Sequence, residues 1–269
     1  MMTSLSIIAA QAVIPARDKD WSTEIPAHLR RRDPRIWHMA YVAAARALKA
    51  SDLRRRRPRS VVVGTALGAL DETRNFLDGI FKDGFGSPRH FIASVHNSMA
   101  GKLALEFSID GPNLTFCDGQ NSLSSAISAC GTVLRNDQLP VLVVCVDEDI
   151  PLLGDVVPRL SKTCGDFLSN HREEGAIALL LDKNDDNGSP RVRASGCVFI
   201  GDQDAMDLTA SLFQTTSPDA TVVLPAENRS FIAPALRVYD CVCNAAPGRT
   251  VIGSFSPSSH ACAAIEIAI

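Results

Sequence analysis

Alternation is the feature that most constrains this fold. Short runs rich in Val, Ile or Leu recur at Ser6 to Val13, Ser60 to Thr65, Asn113 to Cys117, Val141 to Val146 and Ala176 to Leu181. Between them lie stretches with helical spacing at Ile36 to Leu48, Glu72 to Phe81, Ser98 to Phe107 and Ser122 to Leu134. Strand-length apolar runs separated by amphipathic segments predict an α/β fold with a largely parallel sheet and helices on its faces. The polar break "DKNDDNGSP" at 182–190 ends this region. Beyond it, strands are expected near Val192 to Ile200, Ala220 to Leu224, Leu236 to Cys243 and Cys262 to Ile269, with one good helix at Asp202 to Phe213. The chain therefore divides into 1–183 and a reduced 184–269 that shares the same core, short of helices to cover a sheet.

A hydrophobic share of 46% with 21% charged residues is that of an ordinary globular protein, long enough at 269 residues for a substantial core. The formal net charge of -3 gives no global bias toward nucleic acid or membrane. The eight cysteines lack the paired spacing of a zinc site and the density of a disulfide scaffold, and read as reduced packing residues. Cys241-Val242-Cys243 alternates as a strand would, which puts its thiols on one face. The apolar run near the N-terminus is too short for a membrane span and has no basic leader before it. No membrane insertion, metal or cofactor is expected, and the protein is expected in the cytoplasm.

The stretch "GPNLTFCDGQNSLSSAISACGTVL", residues 111–134, carries the chemistry. Gly111-Pro112 turns the chain, Asn113 to Cys117 is a β run, Asp118-Gly119 permits a tight turn, and Ser122 onward resumes as a helix. Several enzymes present a nucleophile at the first position after such a turn, where helix N–H groups favour developing negative charge. Covalent acyl transfer needs Cys or Ser there, but the residue is Gln120, whose carboxamide does no covalent chemistry. By local pattern alone a plain turn entering a helix is an equal reading.

"SPRHFIASVHNSMAGKLALEFSIDGPNLTFCDGQNSLSSAI" (87–127) resembles the β-ketoacyl synthases of the thiolase superfamily. Asn97, Ala100 and Gly101 match the family's helix start, Gly111-Pro112 its turn, and Gln120 falls where the family keeps its Cys. Residues 24–48, 87–101 and 141–151 are similar to short ketosynthase-like proteins of aryl polyene and xanthomonadin-type pigment pathways, and 172–183 is similar to the strand that closes the first half of a ketosynthase. The terminal "GSFSPSSHACAAIEIAI" resembles a degraded Gly-rich loop and last strand. The resemblance implies a thiolase-like fold, layered αβαβα, with the first half complete and the second abbreviated.

Condensing members of the family also use two histidines from the second half, and neither of their segments is present here. His260 falls inside the terminal loop, and His28, His38, His90 and His96 precede the turn and read as structural or exposed. The relatives with Gln at this position are chain length factors and decarboxylating loading ketosynthases, and the second group needs those histidines. The resemblance thus implies a subunit with no catalytic residue of its own, paired as a heterodimer with a catalytic ketosynthase and served by an acyl carrier protein. A stand-alone acyl-carrier thioester enzyme and an acyl-binding scaffold are the alternatives. The strand Asn113 to Cys117, with Asn113, Thr115 and Cys117, is expected at the subunit interface across a two-fold or pseudo-two-fold axis. Gln120 is expected to plug the vestigial pocket, nearly buried and bonded to backbone of its turn or of "SFSPSS" (254–259). Along the helix from Asn97 to Phe107, Met99, Leu103 and Phe107 recur at helical spacing and either face a shared tunnel or pack in the core.

"RRRRPR" (54–59) reads as a solvated connector, with a dock for an acidic carrier protein as the alternative; nucleic acid fits least, since no aromatic platform accompanies the charges. Asp147-Glu148-Asp149 closes a strand and reads as structural.

Overall fold

The computed structural model describes residues 4–31, 33–51, 57–164, 173–183, 188–194, 198–199, 221–223, 230–244, 247–256 and 261–269. In chain order the strands are β1 (Leu5–Val13), β2 (Ser60–Gly64), β3 (Asn113–Phe116), β4 (Val141–Asp147), β5 (Gly175–Asp182), β6 (Arg191–Ala194), β7 (Val198–Phe199), β8 (Thr221–Val223), β9 (Arg249–Ser256) and β10 (Ala261–Ala268). The helices are α1 (Ala27–Arg30), α2 (Arg35–Ala50), α3 (Leu70–Asp83), α4 (Pro88–Ser94), α5 (Ser98–Glu106), α6 (Ser122–Thr132), α7 (Pro151–Cys164) and α8 (Ala233–Asn244). None is long and apolar enough to cross a membrane among the described residues.

The strands join in the order β3-β2-β4-β5-β1-β6-β10-β9-β8, with β7 against β10. Among the described residues the two halves of this ladder meet where Leu5 and Ser6 of β1 pair with Val192 and Arg191 of β6 and the Ile7 N–H donates to Pro190 O at 2.7 Å. Strand β4 shows how side chains divide between layers. Val141, Val143 and Cys145 face a cluster with Leu123, Ala126 and Ile127 of α6, whereas Leu142, Val144 and Val146 face one with α2 and α5. Helix α6 contacts β2 and β4 of one half and β6 and β10 of the other, and α8 contacts β1, β5, β9 and β10. The sheet therefore curls around α6 and α8, and α2 and α5 cover the outer face of its first half, in the layered arrangement expected.

Three expectations need correction. The sheet is mixed, with parallel pairing at β2–β3, β2–β4 and β8–β9 and antiparallel pairing elsewhere. A strand covered on both faces reads as a continuous apolar run whichever way its neighbours point, so composition did not fix direction. Leu236 to Cys243 is not a strand but lies within α8. Ile232, Ala235, Leu236, Tyr239 and Val242 join the core at helical spacing. Cys241 and Cys243 then stand about 200° apart around a helix and do not share a face. Finally, α7 and β9 occupy segments read as connections. The helix expected at Asp202 to Phe213 lies outside the described residues, as does His260.

Candidate functional site

The site is built at the carboxyl ends of the parallel strands. β3 pairs with β2 in parallel from Val61↔Asn113 to Gly64↔Phe116, and among the described residues nothing pairs its outer edge. Asn113 and Cys117 are exposed there and Thr115 is half-buried. Past β3 the chain turns through Gly119, whose φ of 54° only glycine adopts freely. Gly119 to Asn121 form one 3-10 turn, and α6 begins at Ser122. Polar side chains fix this turn: the Asp118 N–H donates to Ser122 Oγ at 2.9 Å, and Ser125 Oγ donates to Asp118 Oδ2 at 2.8 Å.

Gln120 is 2% exposed, and its Nε2 donates to the carbonyl of Ser230, just before α8, at 2.8 Å. Ser230 Oγ in turn donates to Glu173 at 3.0 Å. The expected burial is present, but this partner comes from neither the turn nor the 254–259 loop. It is Asn121 that reaches the final hairpin, donating from Nδ2 to Ala261 O at 3.2 Å and accepting from Ser254 Oγ at 2.7 Å. Ser124 Oγ adds a bond to Ala264 O at 3.3 Å. The first turn of α6 is thus stitched to both β10 and the start of α8 by uncharged groups.

The loop after β2 forms the other wall. Asp147 Oδ1 accepts from Thr65 Oγ1 (3.0 Å), Ala66 N–H (2.8 Å) and Leu67 N–H (3.3 Å). Cys117 Sγ donates to Ala66 O at 3.1 Å. Burial pushes the Asp147 carboxyl up to about 7, against the pull of those three donors. Burial likewise raises Glu148 to about 7, although the Asp71 N–H holds its charged form. Partial desolvation of the Cys117 thiol and the carboxylates of Asp147 and Asp118 raise its pKa, so less of it is thiolate at neutral pH than in an ordinary thiol.

The remaining sequence candidates lie elsewhere. Met99 and Leu103 are buried among α2 side chains, and Phe107 stacks on Tyr41 with ring centroids 5.2 Å apart. Asn97, at the start of α5, is exposed. His28 pairs with Glu106, His38 with Leu29 O and His90 with Glu72. The exposed His96 ring lies against Gly68, where an added Cβ would stand 2.7 Å from its Cδ2. Among the described residues no three His, Cys, Asp or Glu side chains gather as metal ligands would. Sequence reasoning missed Ser230, Asn121 and Ser254. Asn121 and Ser254 each lie inside a stretch that was read without being singled out, while Ser230 lies in a segment with no motif at all.

Residues 8–187, more than half of the chain, match the family described as β-ketoacyl synthase, N-terminal domain. The chain belongs to the β-ketoacyl synthase family. No curated protein matches this ketosynthase-like chain. Its fold is similar to "The ishigamide ketosynthase/chain length factor", at 12% identity and TM-score 0.74 over 99% of both chains. It is also similar to a type II PKS acyl-carrier protein in complex with its ketosynthase bound to the hexaketide, at 16% identity and TM-score 0.76 over 100% of both. A third likeness is to a ketosynthase in complex with its chain length factor from Xenorhabdus doucetiae, at 16% identity and TM-score 0.64 over 99% of both. At such identities the likeness is one of fold: the mixed, layered sheet is that of the thiolase-like ketosynthases.

Proposed function

We propose that this chain is the non-catalytic, chain-length-factor type subunit of a ketosynthase pair in polyketide-type or fatty-acid-like biosynthesis, with an aryl polyene type product. The observation that carries this reading is Gln120. Where the family's turn presents a nucleophile, this chain has a carboxamide that is buried and tied to the Ser230 carbonyl. The turn keeps its shape and has no atom that forms a thioester.

The open edge of β3 supports the pairing, because an unpaired edge strand is a template for a second chain. So do the large apolar side chains exposed on α3, α4 and the turn between them, with Phe81 81%, Phe85 67%, Phe91 54% and Ile92 60% exposed, since a monomer rarely leaves such a surface bare. Solved neighbours of like fold include a ketosynthase with its chain length factor and a ketosynthase with its acyl-carrier protein. In this reading the partner is a Cys-bearing ketosynthase joined edge to edge at β3, with an acyl carrier protein serving the pair in the cytoplasm. A thioester enzyme acting alone fits less well, since Gln120 holds the nucleophile position and the thiol three residues before it, Cys117, is tied to Ala66 O at 3.1 Å.

The test is co-expression with the Cys-bearing ketosynthase encoded nearest to it. A complex that survives gel filtration is expected, with no acyl mass added to this chain on exposure to acyl thioesters. A stable monomer that leaves the ketosynthase unchanged overturns the proposal, and an acyl adduct favours the stand-alone enzyme. In the reconstituted pair, Gln120→Cys is expected to add no condensing activity, because catalytic groups that act as a unit are strongly non-additive. Product lengths from Met99→Ala, Leu103→Ala and Phe107→Ala pairs then decide whether α5 sets chain length or only packs the core.

A further inference from the structure

Away from Gln120 the molecule carries a second concave feature. A groove of about 690 Å³ opens where the chain enters β2, β3 and β4, lined by Arg57, Pro58, Arg59, Gly111, Arg135 and Asp137 among others. These residues precede the amino ends of the parallel strands, whereas Thr65, Gln120 and Asp147 follow or close their carboxyl ends, so the groove is no extension of the first site.

Its charges are unevenly matched. Arg135 is paired with Asp137 at 3.2 Å. That leaves Arg57 and Arg59 facing a single further lining carboxylate, Asp110; Arg59 Nη1 donates to the Asp137 backbone carbonyl at 3.3 Å, and among the described residues neither arginine has a carboxylate partner. Pro58 fixes the chain between them and favours an extended Arg57, which lets both guanidiniums reach the same groove. The floor is rigid as well. The Arg59 N–H donates to Pro140 O at 2.8 Å, and Ser60 Oγ lies 2.8 Å from Gln138 O. A Cβ on Gly111 would stand 1.9 Å from Arg59 O, so the 111 turn is packed directly on the arginine segment.

We propose that this groove binds a small phosphorylated anion, with Arg57 and Arg59 as its ligands. Two forked, permanently charged donors on a fixed backbone suit phosphate oxygens, and a charge-assisted bond is roughly twice as strong as a neutral one. The volume lies in the range of small-molecule sites, about 300 to 1,000 Å³. A cleft set between the strand ends fits a compact anion, and an acidic protein, which would cover a broader face of about 800 Å² per partner, is the outcome that polyglutamate tests.

The full chain is titrated calorimetrically with pyrophosphate and with ADP at constant ionic strength. Saturable binding at one site is expected, weakened roughly tenfold or more in Arg57→Ala/Arg59→Ala and tightened in Asp110→Asn, which removes the opposing charge. Arg17→Ala, a surface change elsewhere, leaves the affinity as it was. Tighter binding of ADP than of pyrophosphate assigns the site to a nucleotide, and equal binding to a free polyphosphate. Absence of saturable binding at millimolar ligand, or equal affinity in all variants, overturns the proposal. So does binding of polyglutamate in place of both probes. The Asp110→Asn arm gains affinity from an exposed position, so misfolding of the double arginine variant does not spare the proposal.

Discussion

Two buried acids in this molecule are held in opposite ways. Glu266, on β10, is 3% exposed and sits between two arginines of neighbouring strands. Arg193 of β6 donates to its Oε2 at 2.8 and 2.5 Å, and Arg249 of β9 donates to its Oε1. Asp147, at the end of β4, is 4% exposed and receives only uncharged donors, all on Oδ1; its Oδ2 has no partner among the described residues. A carboxylate between two guanidiniums has its charge repaid locally, whereas one served by hydroxyl and amide groups bears the desolvation cost. The first clamps three strands of the second half together. The second braces a loop beside the candidate site and keeps a proton near neutrality.

The contrast breaks first, and hardest, at Glu266. Glu266→Gln keeps the shape but leaves two guanidiniums side by side without a counter-charge. Removing one partner of a fully buried pair costs about 3–5 kcal/mol. Arg193 and Arg249 keep 29% and 45% side-chain exposure, so water takes up part of the loss and about 2–3 kcal/mol is expected. Denaturant unfolding measures it. A change below about 0.5 kcal/mol, the size of an ordinary surface substitution, means the clamp is solvated and the two acids are alike.

The pH dependence is a finer test. Asp147 and Glu148 are both raised to about 7, far above the ordinary carboxylate value near ~4. The folded state therefore binds protons that the unfolded state has released. The stability these groups contribute is fully present below their unfolded pKa values and is lost as pH rises through about 7. The wild-type chain is expected to be more stable at pH 5 than at pH 8. In Asp147→Asn that difference shrinks by about 2 kcal/mol, because one titration is gone. Equal slopes for wild type and variant show that Asp147 stays ionised throughout.

The two acids also differ in how legible they were. β4 and β5 were readable because apolar residues, mostly Val, Ile and Leu, run through them unbroken, and the turn at 118–119 because only small or polar residues bend there. Those two features locate Gln120 and close β4 at Asp147. The Glu266 clamp was invisible, because Arg193 and Arg249 are distant in sequence and meet only through the register of β6, β10 and β9. Gln120's partner Ser230 is likewise 110 residues away. Helix α8 was misread because Cys241-Val242-Cys243 alternates locally, while the 3.6-residue spacing that settles the matter shows only when Ile232 and Ala235 are counted with it. Short windows carry strands well and long-range polar contacts not at all.

The smallest expected effect isolates one bond of the Asp147 brace. Thr65 Oγ1 donates to Asp147 Oδ1 at 3.0 Å and accepts from the Gly68 N–H at 3.0 Å. Thr65→Val keeps the volume and removes both links, at about 1 kcal/mol. The donor it removes favours the charged carboxylate, so Asp147 is raised further and its stability term is lost at higher pH. Near pH 5, where Asp147 is protonated in both proteins, only the plain hydrogen bonds separate them. At pH 8 the variant must also hold an ionised carboxylate with one donor fewer, so the gap to wild type widens. Thr65→Ser restores both links and closes the gap at either pH. A gap that does not change between pH 5 and pH 8 means that the carboxyl is charged at both, and Asp147 then belongs with Glu266 after all.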